Sequence, residues 1–127
     1  MLKRRDCVLH CSLGLAALAV PGLARAAAAA SADKILVLGD SLSAEYGLQR
    51  GQGWVALLEQ RLAAQKLPQQ VLNASISGDT TAGGRARLPA LLKQHRPAIV
   101  IIELGGNDAL RGLPLASTRE NLRAMSV

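Results

Sequence analysis

The feature that most constrains the fold of this chain is a regular alternation between short apolar segments and longer amphipathic ones. Three apolar segments are short and rich in branched aliphatic residues, as buried strands are. They are residues 34–39, 70–75 and 98–104. Amphipathic segments at 53–66 and 80–95 separate them, and another begins near Ser117. Strands that alternate with helices in this way predict a parallel sheet with helices on both faces.

The connections between the strands predict the order of the sheet. Because crossovers between parallel strands are right-handed, we expect the first strand in the middle and the order 2-1-3. This is a flavodoxin-like, three-layer α/β/α arrangement, in which ligands bind beyond the carboxyl ends of the strands. In the first helix we expect Trp54, Leu57, Leu58, Leu62 and, at less regular spacing, Val55 to form the apolar face.

Residues 1–32 have the composition of a secretory signal peptide. Basic residues at positions 3–5 precede an apolar run at 7–20, and small residues then continue to Ala32. The run is shorter than the roughly 20 residues that a membrane-spanning helix needs. We therefore predict cleavage between residues 26 and 32, export to the periplasm or medium, and no stable membrane anchor afterwards. We predict that residues 33–127 form the N-terminal part of the folded domain.

The cysteines argue against a disulfide-stabilised protein, and the charge argues against a nucleic-acid-binding one. Both cysteines, Cys7 and Cys11, lie in the predicted leader, so the mature chain has no disulfide to form. From Asp33 onward the net charge is only +3, and Tyr46 and Trp54 are the only aromatic residues. Without a basic cluster or aromatic side chains for stacking, we predict no nucleic-acid partner.

A glycine-containing polar segment follows each predicted strand. These segments are Gly39-Asp40-Ser41-Leu42, Ser77-Gly78-Asp79-Thr80 and Gly105-Gly106-Asn107-Asp108. Taken singly, each has an ordinary structural interpretation: Asp40 and Ser41 suit a turn, Gly78 suits a positive φ, and Asp79 or Thr80 suits a helix cap. Asp108 suits a hydrogen bond to the loop backbone.

Taken together, the three segments indicate acyl transfer. They meet at one edge of the predicted sheet, where they supply a hydroxyl, an unobstructed main-chain N–H and a carboxamide. Acyl transfer needs a nucleophile and donors directed at the oxyanion of the tetrahedral intermediate. The N–H groups of Ser41 and Gly78 and the amide of Asn107 are the candidate donors, and Asp40 is expected to support the turn of Ser41.

The chain also resembles a known family, the SGNH (GDSL) hydrolases. The resemblance rests on the strings GDSLSAEYG, NASISGDTTAGG, RLPALLKQH and ELGGNDALRG, which occur in the family's order over 33–125. It is closest to the periplasmic thioesterase I / lysophospholipase L1 group, often labelled arylesterases. It implies that Ser41 is the nucleophile and that Gly78 and Asn107 are oxyanion donors. It also implies hydrolysis of small-molecule substrates that are acyl esters or thioesters, with no metal and no organic cofactor.

One departure from the family concerns the general base. In the family a histidine of a C-terminal Asp-x-x-His block activates the serine, and no such string occurs in this chain. Of the two histidines, His10 lies in the leader and His95 ends the second helix, at the end of the sheet opposite Ser41. A base must come within about 3 Å of the hydroxyl. We therefore predict that the domain is incomplete at its C-terminus and that the printed chain turns over substrate close to background.

Two other functions remain open from the sequence. One is an SGNH-type carbohydrate deacetylase, which residues 33–127 do not exclude. The other is a non-catalytic binding module on a flavodoxin-like sheet, which the missing base leaves open. A nucleotide-binding protein is disfavoured because neither a Gly-x-Gly-x-x-Gly nor a P-loop string occurs. Glu45 and Arg111 lie near the predicted site, and we expect both to face solvent.

Overall fold

The computed structural model describes residues 34–126, in which strands and helices alternate as expected. The predicted leader and its cleavage site lie outside the described residues. Three strands and four helices follow in the order β1 (Lys34–Gly39), α1 (Trp54–Ala64), β2 (Gln70–Asn73), α2 (Thr81–His95), β3 (Ile99–Glu103), α3 (Gly106–Leu110) and α4 (Leu115–Met125). No helix in this part of the chain is long and apolar enough to cross a membrane.

The three strands form a parallel sheet in the order β2-β1-β3, which confirms the predicted topology. At its centre, Leu36 of β1 is in register with Leu72 of β2 and with Val100 of β3. Because all three strands run in the same direction, their carboxyl ends lie at one edge of the sheet. The three polar segments that follow them are therefore brought to that edge.

The core lies on both faces of β1, the central strand. Leu36 and Leu38 are fully buried against Leu88 of α2, with Met125 of α4 beside them. Residues of a strand alternate between faces, so Ile35 and Val37 lie on the opposite face. There, α1 packs against β2 and contributes its one buried residue, Val55.

Two details differ from the sequence-based expectation. In α1, Leu57 is 53% exposed and Trp54 is 37% exposed, whereas Leu58 and Leu62 are half-buried, so the expected apolar face is confirmed only in part. The reason is that α1 lies against an edge strand, which covers only part of the helix. The polar segment after β3 continues into a short helix, α3, which the sequence pattern did not predict. Five residues are too few to show a helical period in the sequence.

Candidate active site

The loops after β1 and β2 lie side by side at the carboxyl edge of the sheet. The N–H of Ala74 donates to the carbonyl of Val37 at 2.8 Å, and the N–H of Ile76 donates to the carbonyl of Gly39 at 3.0 Å. These bonds continue the pairing of the two strands beyond the end of β2. They hold the segment before Gly78 next to the turn that contains Ser41.

Asp40 organises the turn that carries Ser41. Its side chain is 2% exposed, and its Oδ1 accepts a hydrogen bond from the N–H of Leu42 at 3.0 Å. The carbonyl of Asp40 accepts from the N–H of Ala44 at 2.9 Å, which closes the turn. Ser41 lies half-buried inside this turn. The carboxylate of Asp40 thus caps the reversal of the chain, as its position after the strand suggests.

The side chain of Asn107 joins all three loops. Its Nδ2 donates to Oδ2 of Asp40 at 3.1 Å and to the carbonyl of Asp79 at 2.8 Å. Asp40 immediately precedes Ser41, and Asp79 immediately follows Gly78. One carboxamide therefore bonds to the residue next to Ser41 and to the residue next to Gly78.

Arg111 holds the carbonyl of Gly78. Its Nη2 donates to that oxygen at 2.7 Å, so Arg111 is exposed, as expected, but also makes a bond that the sequence did not predict. Gly78 has a φ of +81°, a conformation in which an L residue is strained. Arg111 follows Asn107 by one helical turn, and the two side chains hold consecutive carbonyls, those of Gly78 and Asp79. Residues of α3 and its C-cap thus hold the loop that follows β2.

The second loop is also tied to α2. Asp79 forms an ion pair with Arg87 at 2.5 Å, and Nη1 of Arg87 donates to the carbonyl of Ala74 at 2.8 Å. Thr80 is the N-cap of α2, and its hydroxyl accepts from the N–H of Gly83 at 3.3 Å. The sequence pattern suggested the cap but gave no signal for the Asp79–Arg87 pair, because the two residues are eight positions apart on different elements.

Asp108 links the third loop to the start of α2. It is 3% exposed, and it accepts hydrogen bonds from both the N–H and the hydroxyl of Thr81. The hydroxyl of Thr118 is a third donor, at 3.3 Å. Burial by itself would raise the pKa of Asp108, but the hydrogen bonds from Thr81, and then from Thr118, outweigh it and leave the pKa below its usual value. The carboxylate next to Asn107 is therefore held in its charged form.

Glu45 closes the loop between β1 and α1. Its Oε1 accepts from the N–H of Gly53 and from the N–H of Gly51, both at 2.9 Å. The N–H of Gly53, then that of Gly51, and the positive charge of Arg50 lower the pKa of Glu45. The expectation of a solvent-facing role for this residue is wrong. The donors to its carboxylate lie six and eight residues away, which no local sequence pattern shows.

His95 lies far from the candidate site. It is the last residue of α2, whose 15 residues extend about 21 Å from Thr81. Nearby, the N–H of Ala98 donates to the carbonyl of Lys34 at the amino end of β1. The two ends of α2 therefore lie at opposite edges of the sheet. His10, the other histidine, is outside the described residues.

The side chains of residues 34–126 include no group of three or more histidine, cysteine, aspartate or glutamate residues placed to hold a metal ion. The acidic residues at the carboxyl edge instead accept hydrogen bonds from backbone N–H groups and from the side chains of Ser43, Thr81, Arg87, Asn107 and Thr118. The polar chemistry of this edge consists of hydroxyl, amide and carboxylate groups.

The sheet is parallel and in the order 2-1-3, with helices on both faces and polar loops at its carboxyl edge. These features define a flavodoxin-like α/β protein, a class in which ligands generally bind at that edge. The particular family is shown by comparison with known sequences. The pattern of the GDSL-like Lipase/Acylhydrolase family matches residues 37–126. The chain belongs to this family.

Relatives of known name support this assignment. The chain is 59% identical over 97 residues to Esterase TesA of Pseudomonas aeruginosa, covering 76% of this chain and 48% of that protein. It is 54% identical over 95 residues to the Thioesterase 1/protease 1/lysophospholipase L1 of Escherichia coli, covering 75% of this chain and 44% of that protein. The crystal structure of TesA superposes with a TM-score of 0.71 at 60% identity, over 72% of this chain and 51% of that one. The chain therefore spans about half the length of the relatives it matches.

Proposed function

We propose that this chain carries the nucleophile and the oxyanion donors of a serine hydrolase that acts on acyl esters or thioesters. The observation that carries the proposal is the bonding of the Asn107 carboxamide to the loops of both Ser41 and Gly78. Membership of a lipase and acylhydrolase family supports it, as do relatives named as an esterase and as a thioesterase and lysophospholipase.

In the proposed reaction, Oγ of Ser41 attacks the carbonyl carbon of the substrate. A base takes the hydroxyl proton, and the carbonyl oxygen becomes an oxyanion that accepts hydrogen bonds from the N–H groups of Ser41 and Gly78 and from Asn107. The intermediate then expels the alcohol or thiol, which receives the proton, and leaves an acyl group on Ser41. A water molecule repeats the sequence, releases the carboxylic acid and restores the hydroxyl.

The amide of Asn107 has two hydrogens, and in this structure both are engaged by protein acceptors. The bond to the Asp79 carbonyl, at 2.8 Å, is the shorter and fixes the side chain. The bond to Oδ2 of Asp40, at 3.1 Å, is the longer and points toward the turn of Ser41. We propose that the oxyanion takes the second hydrogen from Asp40, which keeps its other hydrogen bond to Leu42.

In this proposal, residues 34–126 do not supply the base that takes the proton of Ser41. His95, the histidine among them, lies at the opposite edge of the sheet. The family pattern assigns this role to a histidine of an Asp-x-x-His block. We therefore expect the printed chain alone to hydrolyse p-nitrophenyl esters close to the background rate. A rate comparable to that of an intact relative would show that a base has been overlooked.

A chimera tests the proposal directly. Residues 34–126 of this chain replace the matching segment of the Pseudomonas aeruginosa esterase, which supplies the remainder of a complete protein. We expect the chimera to hydrolyse p-nitrophenyl butyrate, and we expect Ser41→Ala to reduce kcat by on the order of 10⁴-fold or more.

The matched control is Ser117→Ala, which removes an exposed hydroxyl at the start of α4 and should leave kcat unchanged. Circular dichroism establishes that each protein is folded. A folded chimera without activity, measured beside an active parent esterase, would contradict the proposal. So would a Ser41→Ala variant that keeps its activity.

A further inference from the structure

Ser43 connects the turn of Ser41 to three other elements. It is 1% exposed, and its hydroxyl donates to Oε2 of Glu103, at the end of β3, at 2.8 Å. The hydroxyl oxygen of Ser43 also accepts a hydrogen bond from Nε1 of Trp54, the first residue of α1, at 3.1 Å. The carbonyl of Ser43 accepts from Nδ2 of Asn73, at the end of β2, at 2.7 Å. Through Ser43 alone, the turn is therefore hydrogen-bonded to β3, α1 and β2.

This connection requires a glycine at the end of β1. Gly39 is in register with Glu103, so the Ser43 hydroxyl must pass close to Gly39 to reach the carboxylate. A Cβ at position 39 would lie 2.6 Å from Oγ of Ser43, closer than such atoms approach in proteins. Because Gly39 has no side chain, the hydroxyl of Ser43 has room to reach Glu103 at the end of β3.

We propose that Ser43 and Glu103 are positioning residues that set the location of the Ser41 side chain at the edge of the sheet. Ser43 follows Ser41 by two residues, inside the turn that the bond from Ala44 to Asp40 closes. A hydroxyl has a single hydrogen, so Ser43 donates to Glu103 and can only accept from Trp54. The donor and the acceptor of each bond are therefore fixed. We infer that the two bonds together fix the orientation of the turn. Displacing a reacting group by about 1 Å can reduce a rate by about 10²-fold.

The proposal rests on the function proposed above, because it concerns the position of Ser41 as nucleophile. It differs from a purely structural role in one respect. Loss of either bond should move the side chain at position 41 even when the variant remains folded. The test therefore measures that position without requiring hydrolysis.

The first measurement uses a thiol at the position of the nucleophile. In the 127-residue chain, Cys7→Ser and Cys11→Ser remove the native thiols, and Ser41→Cys introduces a single new one. The rate of alkylation by iodoacetamide then reports the accessibility and surroundings of position 41. We expect Ser43→Ala and Glu103→Leu each to raise this rate by about threefold or more, because the released turn exposes the half-buried thiol.

Two controls separate positioning from stability. Glu103→Gln keeps an acceptor for the Ser43 hydroxyl and should leave the alkylation rate within about twofold of the parent. Leu91→Ala removes a side chain that packs against the core on α2, and it should lower the stability while leaving the rate unchanged. If Ser43→Ala fails to fold, Glu103→Leu breaks the same bond from its other end.

Trp54 supplies an independent measurement, because it is the only tryptophan in the chain. Ser43→Ala removes the acceptor of its ring N–H, so the emission maximum should shift by several nanometres, whereas Glu103→Gln should not shift it. Unchanged alkylation rates and unchanged emission in the Ser43→Ala and Glu103→Leu variants would overturn the proposal. Equal effects of Glu103→Gln and Glu103→Leu would also overturn it. Failure of the proposed function would appear separately, as hydrolysis that survives Ser41→Ala in the chimera.

Discussion

The carboxylate of Asp108 accepts hydrogen bonds from both the backbone N–H and the hydroxyl of Thr81, at 2.9 and 2.5 Å. The two residues are 27 positions apart, and the contact joins the helix that carries Asn107 to the first turn of α2. The hydroxyl of Thr81 in turn accepts from Nδ2 of Asn121 on α4 at 3.1 Å. A single buried carboxylate thereby organises three helices beside the candidate site.

Asp108→Ala should destabilise the chain strongly, because it leaves two buried donors of Thr81 without an acceptor. We expect the free energy of unfolding to fall by about 3 kcal/mol, measured by urea denaturation. Asp108→Asn keeps one acceptor oxygen and should cause a smaller loss. A decrease below about 1 kcal/mol for Asp108→Ala would show that the network contributes little.

The stability should also depend on pH through Asp108. Its pKa is lower in the folded chain than in the unfolded chain, so its charged form favours folding. The contribution is complete above the unfolded pKa of about 4, and it is lost as the pH falls from there through the folded pKa. We expect a smaller loss of stability for Asp108→Asn than for the parent between about pH 6 and pH 3, because the amide does not titrate. Equal losses in both proteins would contradict this prediction.

Glu45 should protect two backbone amides from hydrogen exchange. Its carboxylate accepts from the N–H groups of Gly51 and Gly53, and its low pKa keeps it charged at neutral pH. We expect Glu45→Ala to accelerate exchange at both amides by about tenfold or more, as measured by NMR. The amide of Gly84, which donates to the carbonyl of Thr80 in α2, is the internal reference and should not change. Acceleration at all three would indicate general destabilisation instead.

Two glycines at the site should respond differently to the same substitution. A Cβ at Gly39 would lie 2.6 Å from Oγ and 2.7 Å from Cβ of Ser43, whereas a Cβ at Gly106 would lie 3.5 Å from Oδ2 of Asp40, an ordinary contact. We expect Gly39→Ala to lower the free energy of unfolding by about 1–3 kcal/mol and Gly106→Ala to leave it nearly unchanged. Thermal denaturation followed by circular dichroism compares the two. Equal melting temperatures would show that the Ser43 turn can shift at little cost.

The proposed oxyanion role of Asn107 predicts a kinetic effect in the chimera. Asn107→Ala should reduce kcat for p-nitrophenyl butyrate by about 10²- to 10³-fold, with a much smaller change in KM. The donor matters most when the charge has developed, so the loss should appear in kcat. A change confined to KM would indicate that Asn107 binds the ground state only. Asn121→Ala is the comparison variant, because Asn121 bonds to Thr81 and not to the loops of the site.

Local patterns in the sequence were sufficient for most of the fold. The strand at 34–39 and the helix at 80–95 agree with β1 and α2 to within a residue, because hydrophobic period and proline boundaries are local properties. The 2-1-3 order also agrees, because the handedness of crossovers leaves few alternatives. Trp54 and Leu57 of α1 were expected on the buried face and are exposed. Periodicity shows which residues of a helix are apolar, but it does not show how much of the helix its neighbours cover.

By itself, the sequence determined the alternation of strands and helices and the placement of Ser41, Gly78 and Asn107 after three successive strands. Hydrophobic period and turn chemistry are encoded within a few neighbouring residues, so both can be read without a structure. Only the tertiary structure decided how the loops are held, through Asp40 with Asn107, Gly78 with Arg111, and Ser43 with Glu103. These pairs are 33 to 67 residues apart. Hydrogen bonds over such separations depend on distances in space, which the order of residues along the chain does not specify.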